Sequence, residues 1–78
     1  MFEDIVWTVY SKDNCSFCTS AKMLLEREAL QYNEVLIGRD MTREEFMEKF
    51  PNQKTLPLIF DASTRVGGFT ELKNYLKD

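Results

Sequence analysis

Cys15 and Cys18 are the only cysteines in the chain, separated by Ser16 and Phe17, and the chain contains no histidine. Two thiols at this spacing can close one short disulfide and release it. In disulfide exchange the thiolate, not the thiol, is the attacking species, which makes the pair a candidate redox centre. A tetrahedral zinc site needs four nitrogen or sulfur ligands, and no further cysteine or histidine exists to complete one within a single chain. A structural staple is the weaker reading, because a disulfide across so short a loop adds little entropic stability and a lone Cys-x-x-Cys in a reducing cytosol is more often catalytic or metal-binding.

The flanking elements must position these thiols. Ile5 to Tyr10 is β-branched and aromatic nearly throughout, which suits a strand buried on both faces at the centre of a sheet. Ser11 to Asn14 is polar and turn-like. From Phe17 to Leu30 the spacing becomes helical, with Cys18, Ala21, Leu25 and Ala29 on one stripe widened by Met23, Leu24 and Leu30, and with Lys22, Glu26 and Arg27 outside it. Tyr32 to Ile37 reads as a second strand ended by Gly38. Thr42 and Glu45 form a capping box ahead of a short helix lined by Phe46, Met47 and Phe50 and stopped by Pro51. Leu56 to Asp61 and Arg65 to Val66 predict a hairpin across Ala62-Ser63-Thr64. After Gly67-Gly68, the spacing of Phe69, Leu72, Tyr75 and Leu76 predicts a last helix and places those side chains in the core.

This order, β-α-β-α-β-β-α, favours a parallel first pair of strands joined by a right-handed crossover, followed by an antiparallel hairpin. Cys15 then lies at the carboxyl end of the first strand, the edge of an open α/β sheet where binding sites tend to form. A helix N-terminus offers unpaired N–H groups and roughly half a positive charge, and thiols in such settings have pKa values lowered from about 8.5 into roughly the 3.5 to 7.5 range. Cys15 is therefore expected to be the nucleophile. Cys18, one turn further in and on the apolar stripe, is expected to be the buried resolving thiol. Lys12 adds a nearby positive charge, and with no histidine as base the activation must come from the helix end and cations.

Three motifs together resemble glutaredoxins, in the family's order and across nearly the whole chain. They are Lys12-x-x-Cys15-x-x-Cys18 after a strand, Thr55-Leu56-Pro57 before a strand, and Gly67-Gly68-Phe69-Thr70-Glu71 opening the final helix. The resemblance implies an α/β thioredoxin-like fold, a four-stranded mixed sheet flanked by three helices. It also implies glutathione as reducing cosubstrate, with no permanently bound cofactor. Lys12 looks like the lysine that meets a glutathione carboxylate, and Phe17 matches the aromatic position bordering the groove. Leu56 looks like the residue whose backbone pairs with the tripeptide's cysteinyl unit like an added strand. Pro57 resembles the family's cis proline facing the cysteines. Thr70 and Glu71 correspond to the hydroxyl and acidic positions near the γ-glutamyl end, where N–H groups at the helix start would hold its α-carboxylate. Ser16 stands where proline is commoner, Glu71 where aspartate is usual, and Leu58 where the family often has a polar residue.

The activity so implied is that of a glutathione-disulfide oxidoreductase, reducing protein disulfides and glutathione mixed disulfides, with ribonucleotide reductase as a candidate protein partner. Two other readings compete: a redoxin served by a flavin-dependent thioredoxin reductase, and a dimer holding a [2Fe-2S] cluster through Cys15 and two glutathione thiols. Composition bounds the rest. Residues 1–78 read as one domain and a monomer, small enough to bury only a little over about 60% of its unfolded surface, with six Phe, three Tyr and one Trp to fill the core. The net charge of -3 argues against nucleic acid, an anionic membrane or acidic molecules as the main partner. No apolar run approaches the roughly 20 residues that span a bilayer, and the start Met1-Phe2-Glu3-Asp4 lacks a signal peptide's basic residues, so a cytoplasmic location is expected.

Overall fold

The computed structural model describes residues 6–77. In chain order the elements are β1 (Trp7–Ser11), α1 (Ser16–Arg27), β2 (Tyr32–Leu36), α2 (Arg43–Lys49), β3 (Leu58–Asp61), β4 (Thr64–Gly67) and α3 (Phe69–Leu76). The four strands form one mixed sheet in the order β2-β1-β3-β4. β1 pairs parallel with β2 and antiparallel with β3, and β3 pairs antiparallel with β4. The first strand is thus interior to the sheet, with its carboxyl end leading directly to the thiols.

β1 is buried on one face and only partly on the other, which corrects the expectation of a strand buried on both. Trp7, Val9 and Ser11 are buried while Thr8 and Tyr10 are half-buried. On the first face, Trp7, Val9 and Ile59 meet Ala21 and Leu25 of α1 and Leu72 of α3 in the main core. On the second, Phe46 of α2 and Phe50 at its C-cap lie against the sheet. There Tyr10 meets Phe50 edge-on at 5.2 Å between centroids, with Phe46 and Phe60 also around it. Ile5 lies outside the described residues.

Boundary differences have local causes. β2 ends at Leu36, and Ile37 forms an isolated bridge with Met41 instead of continuing the strand. The sequence places a strand from Leu56, but pairing starts at Leu58, since Pro57 has no N–H to give a ladder. Thr64 pairs with Asp61, so the hairpin turn is Ala62-Ser63, not Ala62-Ser63-Thr64. The capping box of α2 forms as expected, with the Glu45 N–H donating to Thr42 Oγ1 at 3.0 Å and the Thr42 N–H to Glu45 Oε1 at 2.8 Å.

Three apolar residues expected in the core are exposed. Met23 is two residues from both Ala21 and Leu25, which turns it to the opposite side of α1. Met47 lies a hundred degrees round α2 from the buried Phe46. Tyr75 closes the edge of the core, meeting Trp7 edge-on at 5.7 Å while its hydroxyl donates to Asp61 at 2.7 Å.

A further correction concerns Ala29, which the sequence places on the buried stripe of α1 and which is exposed. The helix ends at Arg27, and Ala29 adopts a left-handed φ of 60°. Its N–H donates to the Glu26 carbonyl at 3.0 Å and that of Leu30 to the Leu25 carbonyl at 2.9 Å, the paired closure of a Schellman motif. Leu30 then packs back on the core that Leu25 occupies, and the chain is turned into β2. Glycine fits this position without the side-chain clash that alanine suffers. Ala29→Gly is therefore expected to raise the unfolding free energy by about 1 kcal/mol in urea titration; an unchanged or lower value would contradict this account of the helix end.

Candidate functional site

The turn from β1 into α1 runs through Lys12 to Asn14, with Asn14 at a φ of 56°, a conformation that asparagine tolerates better than most residues. Cys15 follows as the N-cap of α1, with extended backbone at φ -125° and ψ 102°, and its Sγ accepts the Cys18 N–H at 3.1 Å. That N–H is one of the donors a helix start leaves without a partner in its own helix. The Thr19 N–H and hydroxyl both donate to the Cys15 carbonyl, at 3.1 and 3.3 Å, and so fix the cap from its other side. No acidic side chain occupies the first turn of α1, so none there opposes a negative sulfur.

The same helical geometry separates the thiols. Cys18 is 1% exposed, while Cys15 is partly exposed at the end of the helix. They are joined as a disulfide, with Cα atoms 5.2 Å apart. Opposite stands the Thr55-Leu56-Pro57 segment, whose Leu56–Pro57 peptide is cis, as the resemblance implies. The Leu56 carbonyl oxygen is 3.8 Å from Cys15 Sγ.

Leu56 is also where two surface grooves meet. One, of about 260 Å³, is bordered by Phe17, Leu56, Pro57, Thr70 and Glu71. The other, of about 530 Å³, is bordered by Lys12, Arg43, Lys54 and Leu56 over an apolar floor that includes Phe46. Lys12 also borders a polar depression beside Cys15, and it has no ion-pair partner among the described residues. The structure thus gathers the eight residues singled out from the sequence, Lys12, Cys15, Phe17, Cys18, Leu56, Pro57, Thr70 and Glu71, around one strand-to-helix junction.

Glu71 carries a contact that the sequence reading missed. Its Oε1 accepts the Gly68 N–H at 2.9 Å and so caps the start of α3, where Gly68 offers no side chain. Gly67 is required beside it, because its φ is 120° and a Cβ there would lie 3.0 Å from Glu71 Cγ. Phe69, expected in the core, is half-buried and stacks on the exposed Phe17 ring, with centroids 6.1 Å apart and planes at 29°.

Fold and chemistry converge on thiol-disulfide oxidoreductases of the thioredoxin-like class. The glutaredoxin family model matches residues 7–64, and the chain belongs to the glutaredoxin family. It is 33% identical over 73 residues to glutaredoxin 1 of Rickettsia prowazekii, covering 90% of this chain and 76% of that protein. It is 29% identical over 68 residues to the hybrid peroxiredoxin hyPrx5 of Haemophilus influenzae, covering 87% of this chain but spanning only 28% of that longer protein. The solution structure of a glutaredoxin from Brucella melitensis superposes with a TM-score of 0.74 at 30% identity, covering 90% of this chain and 76% of the other. A buckwheat glutaredoxin, solved as a glutathione complex, shares the fold with a TM-score of 0.71 at 21% identity, over 88% of this chain and 67% of the other. Among the described residues no helix is long and apolar enough to cross a membrane.

Along the polar depression beside Cys15 lies a cluster that the sequence did not disclose. Fully buried Ser11, the last residue of β1, donates to Glu34 Oε2 at 2.6 Å, and Lys22 of α1 donates to the same oxygen at 2.7 Å. The only hint in the sequence is that Lys22 falls two turns after Cys15, on the same side of α1. The pair bridges α1 to β2 and holds the Glu34 carboxyl below its ordinary pKa of 4.5, through the Lys22 hydrogen bond first and the Ser11 hydroxyl second. A carboxylate whose pKa is lowered by folding contributes stability above its unfolded value, and that stability is lost as pH falls through the folded value. Lys22→Met is expected to lower the unfolding free energy at pH 7 by about 1 kcal/mol, with the difference shrinking as the pH falls below 4.5. Urea titrations across that range would contradict the account if the difference stayed constant.

Proposed function

We propose that this chain reduces disulfides at the expense of glutathione, with Cys15 as nucleophile and Cys18 as resolving thiol. The observation that carries the assignment is the hydrogen bond from the Cys18 N–H to Cys15 Sγ at the start of α1, with the buried Cys18 as its disulfide partner. The Cys15 thiolate attacks one sulfur of a substrate disulfide, forming a mixed disulfide and releasing the other sulfur as a thiolate that takes up a proton. Cys18 then loses its proton and attacks Cys15 Sγ, which frees the second substrate thiol and leaves the Cys15–Cys18 bridge. Two glutathione molecules reverse this oxidation. The first opens the bridge to give a Cys15-glutathione disulfide and the Cys18 thiol; the second takes the glutathionyl sulfur, leaving as glutathione disulfide and restoring the Cys15 thiolate. Two electrons pass from the two glutathiones to the substrate.

Glutathione is read into the groove in extended form. The Leu56 N–H and C=O pair with its cysteinyl unit beside Cys15, and buried Pro57 supports that segment. Lys12 meets the glycyl carboxylate, and the exposed ring of Phe17 borders the bound tripeptide. The N–H groups at the start of α3 take the γ-glutamyl carboxylate, with the Thr70 hydroxyl alongside. Glu71, already holding the Gly68 N–H, brings negative charge toward the γ-glutamyl amine. The glutathione complex of the buckwheat protein supports this choice of reductant. Ribonucleotide reductase is the protein acceptor that family resemblance names.

The test is reduction of the mixed disulfide between glutathione and 2-mercaptoethanol, coupled to glutathione reductase and NADPH. Cys15→Ser is expected to abolish turnover, whereas Cys18→Ser keeps it on this substrate, because the second glutathione can resolve the intermediate. An active Cys15→Ser variant would refute the assignment, and so would reduction of the protein by a flavin-dependent thioredoxin reductase but not by glutathione. Lys12→Ala is expected to raise the KM for glutathione about two- to fivefold, the range of an exposed ion pair. An unchanged KM would remove Lys12 from the groove.

A further inference from the structure

A hydrogen-bonded relay runs from β4 to the peptide that precedes Leu56. Arg65 Nη2 donates to Gln53 Oε1 at 2.6 Å, and Gln53 Nε2 donates to the Thr55 carbonyl oxygen at 2.8 Å. Both members are held from elsewhere. The Arg65 backbone is opposite Phe60 in the hairpin ladder, and its guanidinium lies over the Phe50 ring at 5.6 Å from the centroid. The Gln53 N–H donates to the Phe50 carbonyl at 3.0 Å.

The chemistry of the two side chains gives the relay a direction. A guanidinium only donates, so it selects the oxygen of the Gln53 amide and leaves the NH₂ group facing Thr55. Among the described residues only the Leu56–Pro57 peptide is cis, so the Thr55–Leu56 peptide is trans, with its C=O and N–H pointing in opposite directions. Anchoring the Thr55 oxygen toward Gln53 therefore turns the Leu56 N–H away from it. That N–H has no hydrogen-bond acceptor among the described residues, and Leu56 itself borders both grooves.

We propose that Arg65 and Gln53 are positioning residues that orient the Leu56 N–H for the cysteinyl carbonyl of glutathione, with Arg65 acting through two hydrogen bonds and no contact with the ligand. The proposal rests on the glutathione reading above. It places a determinant of reductant affinity on β4, on a residue that borders neither groove.

The test uses the oxidised full chain and S-methylglutathione, an analogue that cannot exchange with the disulfide, followed by two-dimensional amide NMR. In the wild type the Leu56 amide resonance is expected to move on titration. In Arg65→Ala the dissociation constant should rise about fivefold, the order of one neutral hydrogen bond, and the Leu56 displacement should shrink. Arg65→Lys, which keeps a donor, should recover most of the affinity. Adding Gln53→Ala to Arg65→Ala should weaken binding by less than the two single effects combined, a coupling that independent structural roles would not show. If the wild type does not bind the analogue, the glutathione reading itself is wrong. If it binds and Arg65→Ala binds equally well with the same Leu56 displacement, the relay is wrong and the glutathione reading stands.

Discussion

The hydrogen bond from the Cys18 N–H to Cys15 Sγ makes the Cys15 sulfur complete the backbone at the start of the helix. A helix start leaves N–H groups without partners and gathers roughly half a positive charge, and a sulfur at the N-cap is where both are felt most strongly. Structure and chemistry therefore rest on the same contact. A negative Cys15 strengthens the cap, and the cap stabilises the negative Cys15. Cys18 supplies the donor from its backbone while its own sulfur is buried in the next turn, so one turn of helix gives two identical side chains different environments.

The remaining elements hold that cap in place. β1 is flanked by β2 and β3, which fixes the end of the strand from which Lys12 to Cys15 depart. Ala21 and Leu25, further along α1, are buried against β1, β3 and α3. The Ser11, Glu34 and Lys22 cluster ties the helix to β2 from the other side. Across from the sulfur, Thr55 to Pro57 is fixed through Gln53 and Arg65, while the start of α3 is fixed by Glu71. The backbone around Cys15 is thus anchored by side-chain hydrogen bonds of Gln53, Glu71 and the Lys22–Glu34 pair.

The sequence showed most clearly what depends on short-range periodicity. The unequal burial of Cys15 and Cys18 follows from a 3.6-residue repeat shared with Ala21 and Leu25, and the capping box at Thr42 and Glu45 is a contact across three residues. The order of elements and the mixed sheet were legible for the same reason. What stayed hidden depends on tertiary placement. The Ala29 turn has neither the glycine nor the asparagine that usually marks it. The family resemblance suggested only an acidic position for Glu71, and the backbone of Gly68 shows that it caps a helix. Arg65 and Gln53 meet only because the hairpin register brings β4 beside the segment after α2. Met23 and Met47 show the opposite error, in which apolar character alone suggested burial that helical phase forbids.

The most direct test of the account is the pH dependence of alkylation by iodoacetamide on the reduced protein, with the modified residue located by mass spectrometry. The account predicts that Cys15 reacts first, with an apparent pKa well below the about 8.5 of a free thiol, while Cys18 stays unmodified in the folded protein. A Cys15 pKa at or above that ordinary value, or modification of Cys18 ahead of Cys15, would contradict it.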